Sequence, residues 1–338
     1  MMAGVKWIFL IIGTTIGAGY ASGRELWQFF GQDSSLAILL FTVMFMVCCG
    51  SVMSISYKQQ SMHYLPVLRT IVGRHLTGVY DWMIIFYLFT TTIVMLAGSG
   101  ATLQAYDISY RVGVLVIALP LILLFVWDVK GLVIMNALVL PVLIVGLLLI
   151  LFLFITDQKL SLFEHIGDTA NWMAAFPFTA LNVLPLVAVL GAVGSRMKSR
   201  REVWVASIGS GFLLGSISFL YNSSLIQISE EILLYEIPLF AILKHYPYSM
   251  MVFMSIVMWI AIFTTAASGT FGLVTRFREY WKQPLWIIAF ALIAVMLPFT
   301  SFGFSTLIQY LYPLYGVLNL YILTALLLYP VTHRFKTS

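Results

Sequence analysis

Charge is what this sequence has least of. Only 9% of its 338 residues are Asp, Glu, Lys or Arg, against 61% hydrophobic, whereas soluble domains carry roughly 25% charged residues. With a mean hydropathy of +1.00, the chain reads as an all-α polytopic membrane protein. Cysteine is nearly absent too. Cys48 and Cys49 stand side by side in an apolar run, which excludes a disulfide framework or a zinc motif and leaves buried packing. Catalytic signatures are missing: there is no Gly-x-Ser-x-Gly elbow, no His-Glu-x-x-His, no phosphate-binding loop and no intramembrane carboxylate pair. The five histidines, His63, His75, His165, His245 and His333, fall in loops and surface stretches, so no metal cluster is suggested. An enzyme is not expected.

What is abundant is long apolar runs. Ten candidate spans lie near 6–30, 35–57, 79–104, 110–128, 131–156, 172–195, 203–228, 247–275, 284–300 and 303–330. A signal peptide at the start is disfavoured, because the apolar core from Trp7 to Ile12 falls below the usual minimum of about seven residues and hydrophobicity resumes at Leu26. With the N-terminus inside, 14 of the 18 basic residues reach the cytoplasmic side, among them Lys6, Lys58, Lys130, Arg200, Arg276 and Lys336; Arg24, Arg111, Lys159 and Lys244 stay outside. Both termini are therefore expected in the cytoplasm of a multi-pass cell-membrane protein. The net charge of +5 is a topology signal, with the lipid bilayer as partner and no nucleic acid.

The spans repeat. Two stretches, about 58–78 and 229–246, are too long for turns and too polar to cross, and each contains a short apolar pattern suited to a helix along the membrane surface. Each follows the second span of a five-span set, and the sets are offset by about 168 residues. Since five is odd, the second half (about 170–330) must be inserted upside-down relative to the first (about 1–157), which describes an inverted repeat in a single transporter domain.

Span 1 contains Gly13-Thr14-Thr15-Ile16-Gly17-Ala18-Gly19-Tyr20-Ala21-Ser22-Gly23. These residues serve either as a tight helix-packing face or as a break whose freed backbone groups line a cavity. Span 6 holds Pro185 after Leu181 and Asn182, read either as a simple kink or as a matching break over 180–184. On span 8, Thr264 and Ser268 share a helical face; their hydroxyls either bond back to their own helix or help hold an alkali cation. Arg24 and Glu25 form either a rim salt bridge or an outer gate, with Glu25 the one candidate proton carrier of span 1. For a substrate, the amides of Ala18, Gly19 and Tyr20 suit a carboxylate, the carbonyls of Leu181 and Asn182 suit an ammonium, and Thr14 and Thr15 line the break. Phe86, Tyr87 and Phe89 on span 3 are candidate walls.

Ten spans in a five-plus-five inverted repeat, a Gly-x-Gly break in span 1 and a hydroxyl cluster in span 8 resemble the LeuT-type fold of the amino acid–polyamine–organocation superfamily. The stretch Ile12 to Glu25 is similar to the bacterial YkvI-type membrane proteins. The resemblance implies discontinuous helices 1 and 6 and a secondary active transporter, with sodium as coupling ion and no other cofactor. The substrate it implies is a small amino acid or related zwitterion. It places the ion between the carbonyls of Gly13 and Ile16, the carbonyl of Thr264 and the hydroxyl of Ser268, with Thr265 compensating for the hydroxyl missing at Ala267. A proton-coupled transporter using Glu25, and a non-transporting ligand sensor on the same fold, are the alternatives.

Overall fold

The computed structural model describes residues 2–127, 131–159, 169–278 and 280–334; Lys130, His165 and Lys336, named above, lie outside them. Among the described residues, every regular element is a helix. Seven helices are long and apolar enough to cross a bilayer, and the pair Phe304–Leu318 and Leu320–Thr332, bent by 44°, makes an eighth. Two shorter apolar helices, Gly4–Thr15 and Tyr110–Val126, complete a set compatible with ten spans.

Span 1 is broken into Met2–Thr15, Ala18–Ala21 and Arg24–Phe29. Span 2 is Ser35–Gln59, and span 3 is the later part of Tyr64–Gln104. Gly73, at φ 79°, separates span 3 from an amphipathic helix before it. That helix buries Val67, Leu68 and Val72 and exposes Arg69 and Thr70. Spans 4 and 5 are Tyr110–Trp127 and Gly131–Asp157; span 6 is Ala175–Leu190, span 7 Arg200–Gln227, span 8 Tyr248–Arg278 and span 9 Leu285–Met296. Span 10 is the bent pair.

The packing obeys the expected two-fold relation. Span 2 packs on span 7, span 3 on span 8 and span 4 on span 9, three pairs that an inverted repeat maps onto themselves. Span 1 packs on span 7 as span 6 packs on span 2, and span 5 packs on span 8 as span 10 packs on span 3. Cys48 and Cys49 are buried packing residues of span 2.

Two expectations need correction. Span 6 is interrupted, but not over 180–184: the α-helix runs through Pro185 to Leu190 and gives way at Gly191–Val193 to a 3-10 turn, Gly194–Arg196. Pro185 lacks an N–H, so it frees the Leu181 carbonyl, while neighbouring spans hold the helix straight enough to continue. The second surface stretch is also not a membrane-surface helix. Pro238–Leu243 is apolar on every side and all six residues are buried, as a helix without a polar face must be.

Candidate functional site

The centre of the molecule is built on the interruption in span 1. Gly17 is extended (φ −99°, ψ −167°), and its amide turns to the carbonyl of Thr15 at 3.0 Å instead of Gly13 one turn back. No amide bond from Tyr20 reaches Ile16. The carbonyls of Gly13 and Ile16 are thus released from the helical ladder. A second break follows at Ser22 and Gly23, the latter at φ 78°.

The short helix Ala18–Ala21 between the breaks is wholly buried, and its surroundings satisfy its polar groups. Tyr20 donates to the carbonyl of Leu214 at 2.9 Å and shares a 2.7 Å hydrogen bond with Ser218, both on span 7. Tyr221 donates to the Ala21 carbonyl at 3.1 Å. The amide of Leu239, on the buried 238–243 helix, donates to Ser22 O at 2.9 Å. Opened backbone at membrane depth is tolerated when protein pairs it in this way. Thr14 and Thr15 bond back to the carbonyls of Leu10 and Ile11, within their own helix.

Of the two readings of Arg24 and Glu25, the rim salt bridge is not formed: Glu25 is 4% exposed, and Asn182 of span 6 donates from Nδ2 to its Oε1 at 3.5 Å. The same Nδ2 donates to the Phe178 carbonyl at 2.9 Å, so Asn182 meets span 1 with its side chain, not its carbonyl. A Cβ on Gly19 would stand 2.9 Å from Glu25 Oε2 and 3.0 Å from Cε2 of Tyr312. The carboxyl therefore folds back over the short helix, at the place offered above to a substrate carboxylate.

Tyrosines of spans 3 and 10 pack together nearby, with Tyr312 beside Glu25 over Gly19. Tyr87 meets Tyr315 edge to face at 5.2 Å, and the Tyr315 hydroxyl is held by Thr90 at 2.6 Å. Phe86 is 54% exposed, with its ring 6.3 Å from that of Tyr315, and Phe89 packs on Phe299 in the 3-10 helix Leu297–Phe302 that follows span 9. Arg24, one residue before Glu25, is partly buried. Glu236 accepts from the Ser305 amide at 2.8 Å.

The span-8 hydroxyls divide unexpectedly. Thr265 faces the break: a Cβ on Gly17 would lie 3.8 Å from its Cγ2. Ser268 is exposed and donates to the Thr264 carbonyl at 2.9 Å. Thr264 is fully buried, and its hydroxyl, like that of Thr265, donates to the Ala261 carbonyl. Among the described residues, no group of three His, Cys, Asp or Glu side chains is placed to hold a metal.

Two hydrogen-bonded charged groups tie helix ends together. Trp7 donates to buried Glu202 at 2.8 Å, joining the starts of spans 1 and 7. Arg276 pairs with Asp81 at 2.7 Å, joining the end of span 8 to span 3, and Tyr64 donates to the same carboxylate. Residue types alone gave no signal for either pair.

No family model matches the chain. Its fold is that of solved LeuT-fold transporters. It is similar to MhsT, crystallised in complex with L-phenylalanine, at a TM-score of 0.66 and 13% identity, covering 96% of each chain. It is also similar to the manganese transporter of Eremococcus coleocola, at a TM-score of 0.63 and 14% identity, over 94% of this chain and 76% of that one. In sequence, it is 27% identical to the uncharacterized membrane protein YkvI of Bacillus subtilis over 94% of both chains. It is 47% identical to the uncharacterized protein YyaD of the same organism over 99% of both. With that identity sustained from end to end, the chain belongs to the YyaD family, and YkvI is a more distant relative.

Proposed function

We propose that this protein is a secondary active transporter of a small ammonium-bearing solute, an amino acid or related zwitterion, working by alternating access of the halves 1–157 and 170–330. The observation that carries this reading is the double break of span 1, with a buried carboxyl and amide, Glu25 and Asn182, meeting beside it. Broken spans of this kind place charged and polar groups at the midplane, where a soluble ligand replaces water. A bound solute there has access to either side only if the surrounding spans move.

Sodium is the coupling ion in this reading. The released carbonyls of Gly13 and Ile16 are hard oxygen ligands, and Thr265, whose methyl lies against Gly17, is the span-8 residue beside the break, its hydroxyl turning from the Ala261 carbonyl to reach the ion. One ion is energetically sufficient. A charge crossing 100 mV contributes about 2.3 kcal/mol and a tenfold gradient about 1.4 kcal/mol, together on the order of 500-fold accumulation. Proton coupling is the second reading, favoured by the depth of Glu25. Both termini are cytoplasmic in this scheme, because the basic loops face inward.

Proteoliposomes test the proposal. Purified protein is reconstituted, and uptake of labelled amino acids is followed under an inward sodium gradient, a pH gradient or neither. Uptake only under the sodium gradient is the expected result. Uptake under the pH gradient alone removes sodium and installs Glu25, and binding without gradient-driven uptake replaces the transporter by a ligand sensor. Labelling of a cysteine at position 200 from outside would overturn the orientation.

A further inference from the structure

Glu25 gives the central site a chemistry that the broken helix by itself does not. Ionised carboxylates at this depth need a cation close by, and the polar partner the structure gives Glu25 is the neutral amide of Asn182. Tyr312 of span 10 stands beside it over Gly19, and Tyr87 of span 3 packs on the neighbouring Tyr315. Among the ion pairs of the described residues, none joins Glu25 to Arg24. Glu25 Oε2 also lies over Gly19, so the protein's own carboxylate covers the short helix where a substrate carboxylate was expected. A second anion brought there would be repelled by the first.

We infer that the site selects its ligand by the ammonium group alone: Glu25 is the counter-ion, Asn182 and the ring of Tyr312 beside it complete the cation's surroundings, and a substrate carboxylate is dispensable. The ligand class is therefore small organic amines, including those left when an amino acid loses its carboxylate. Aromatic faces attract a desolvated ammonium, and a carboxylate opposite them fixes its position. This inference rests on the transporter reading for its site but concerns which end of the solute is recognised.

Matched triads of ligands test it on the full-length purified protein. Each triad holds an amino acid, the amine made by removing its carboxyl group, and its N-acetyl derivative: alanine with ethylamine, leucine with isoamylamine, phenylalanine with phenethylamine, lysine with cadaverine. Binding is read by calorimetry and by shift of the denaturation temperature. In at least one triad the amine should bind as tightly as the amino acid or more tightly, and the N-acetyl compound should bind at least 100-fold more weakly. Glu25→Gln should lose amine binding by a similar factor while eluting as a folded monodisperse protein. Glu25→Asp, which keeps the charge one methylene shorter, should bind with an intermediate loss. The inference is overturned if an amino acid binds and its amine does not, if no amine binds at millimolar concentration, or if Glu25→Gln binds amines like the wild type. Amine binding that no gradient can convert into uptake would instead overturn the transporter reading and leave the recognition chemistry standing.

Discussion

Gly19→Ala is the sharpest perturbation of the proposed site, because one methyl group lands on its central carboxyl. The added Cβ would stand 2.9 Å from Glu25 Oε2, 3.0 Å from Tyr312 Cε2 and 3.3 Å from Glu25 Cβ. Contacts this short force the neighbours to move, and overpacking of that kind costs about 1–3 kcal/mol. Expressed as affinity, this is about 5- to 150-fold weaker binding. Gly17→Ala is the control in the same broken segment. Its Cβ would meet Met95 Cε at 3.7 Å and Thr265 Cγ2 at 3.8 Å, ordinary contact distances, so it should bind amines within a few-fold of the wild type. The assay is titration calorimetry on purified protein, with the unliganded denaturation temperature as a check on folding. The decisive comparison places Gly19→Ala in a Glu25→Ala background. Once the carboxyl is gone, the stability penalty of the extra methyl should fall substantially, leaving the part due to Tyr312; contacting residues couple in such cycles by about 0.5–3 kcal/mol. If Gly19→Ala binds like the wild type, or its stability penalty is unchanged without Glu25, the carboxyl does not sit over the short helix and the reasoning fails.

Three further predictions follow from the contacts. Thr265→Ala should weaken sodium activation of uptake about tenfold or more, because Thr265 lies against Gly17, and Ser268→Ala should leave it nearly unchanged, because Ser268 is exposed; the reverse order would return Ser268 to the ion site. Trp7→Phe removes the donor that meets buried Glu202 and should cost about 1–3 kcal/mol, seen as a lower denaturation temperature; an unchanged temperature would show that the bond contributes nothing. Asp81→Asn and Arg276→Gln should each destabilise by about 1 kcal/mol or less, since the pair is partly exposed. Combining them should cost less than the sum, and strict additivity would mean that the ion pair does not link spans 3 and 8.

Much of the architecture was legible because a bilayer narrows the choices. An apolar run of the right length must be a helix there, so the expected 110–128 and 203–228 match the observed Tyr110–Trp127 and Arg200–Gln227 closely. The repeat was legible from spacing. Less legible was whatever depends on what lies outside a segment. Pro238–Leu243 has the same composition whether it lies in lipid headgroups or inside protein, and only its contact with Ser22 settles the matter. Likewise, Pro185 frees one carbonyl in any helix. Whether the helix then opens depends on the packing around it, and here it continues to Leu190.

The site was harder to read because a helical wheel works only while the helix is continuous. Each residue advances about 100°, and a break resets the phase. Arg24 and Glu25 follow the second break of span 1, so their facing directions cannot be extended from Trp7 or Ile11. Being adjacent on one helix, they point about 100° apart, so Glu25 meets Asn182 without Arg24 following it there. On span 8 the four-residue spacing of Thr264 and Ser268 does not say which side of the helix fronts span 1. In the structure Thr265 is the residue against Gly17, its Cγ2 at 3.8 Å from where a Cβ would stand. The group that the second break brings to the centre is a carboxyl beside Tyr312 and Asn182, and in the proposed reading it is this carboxyl that a cation meets.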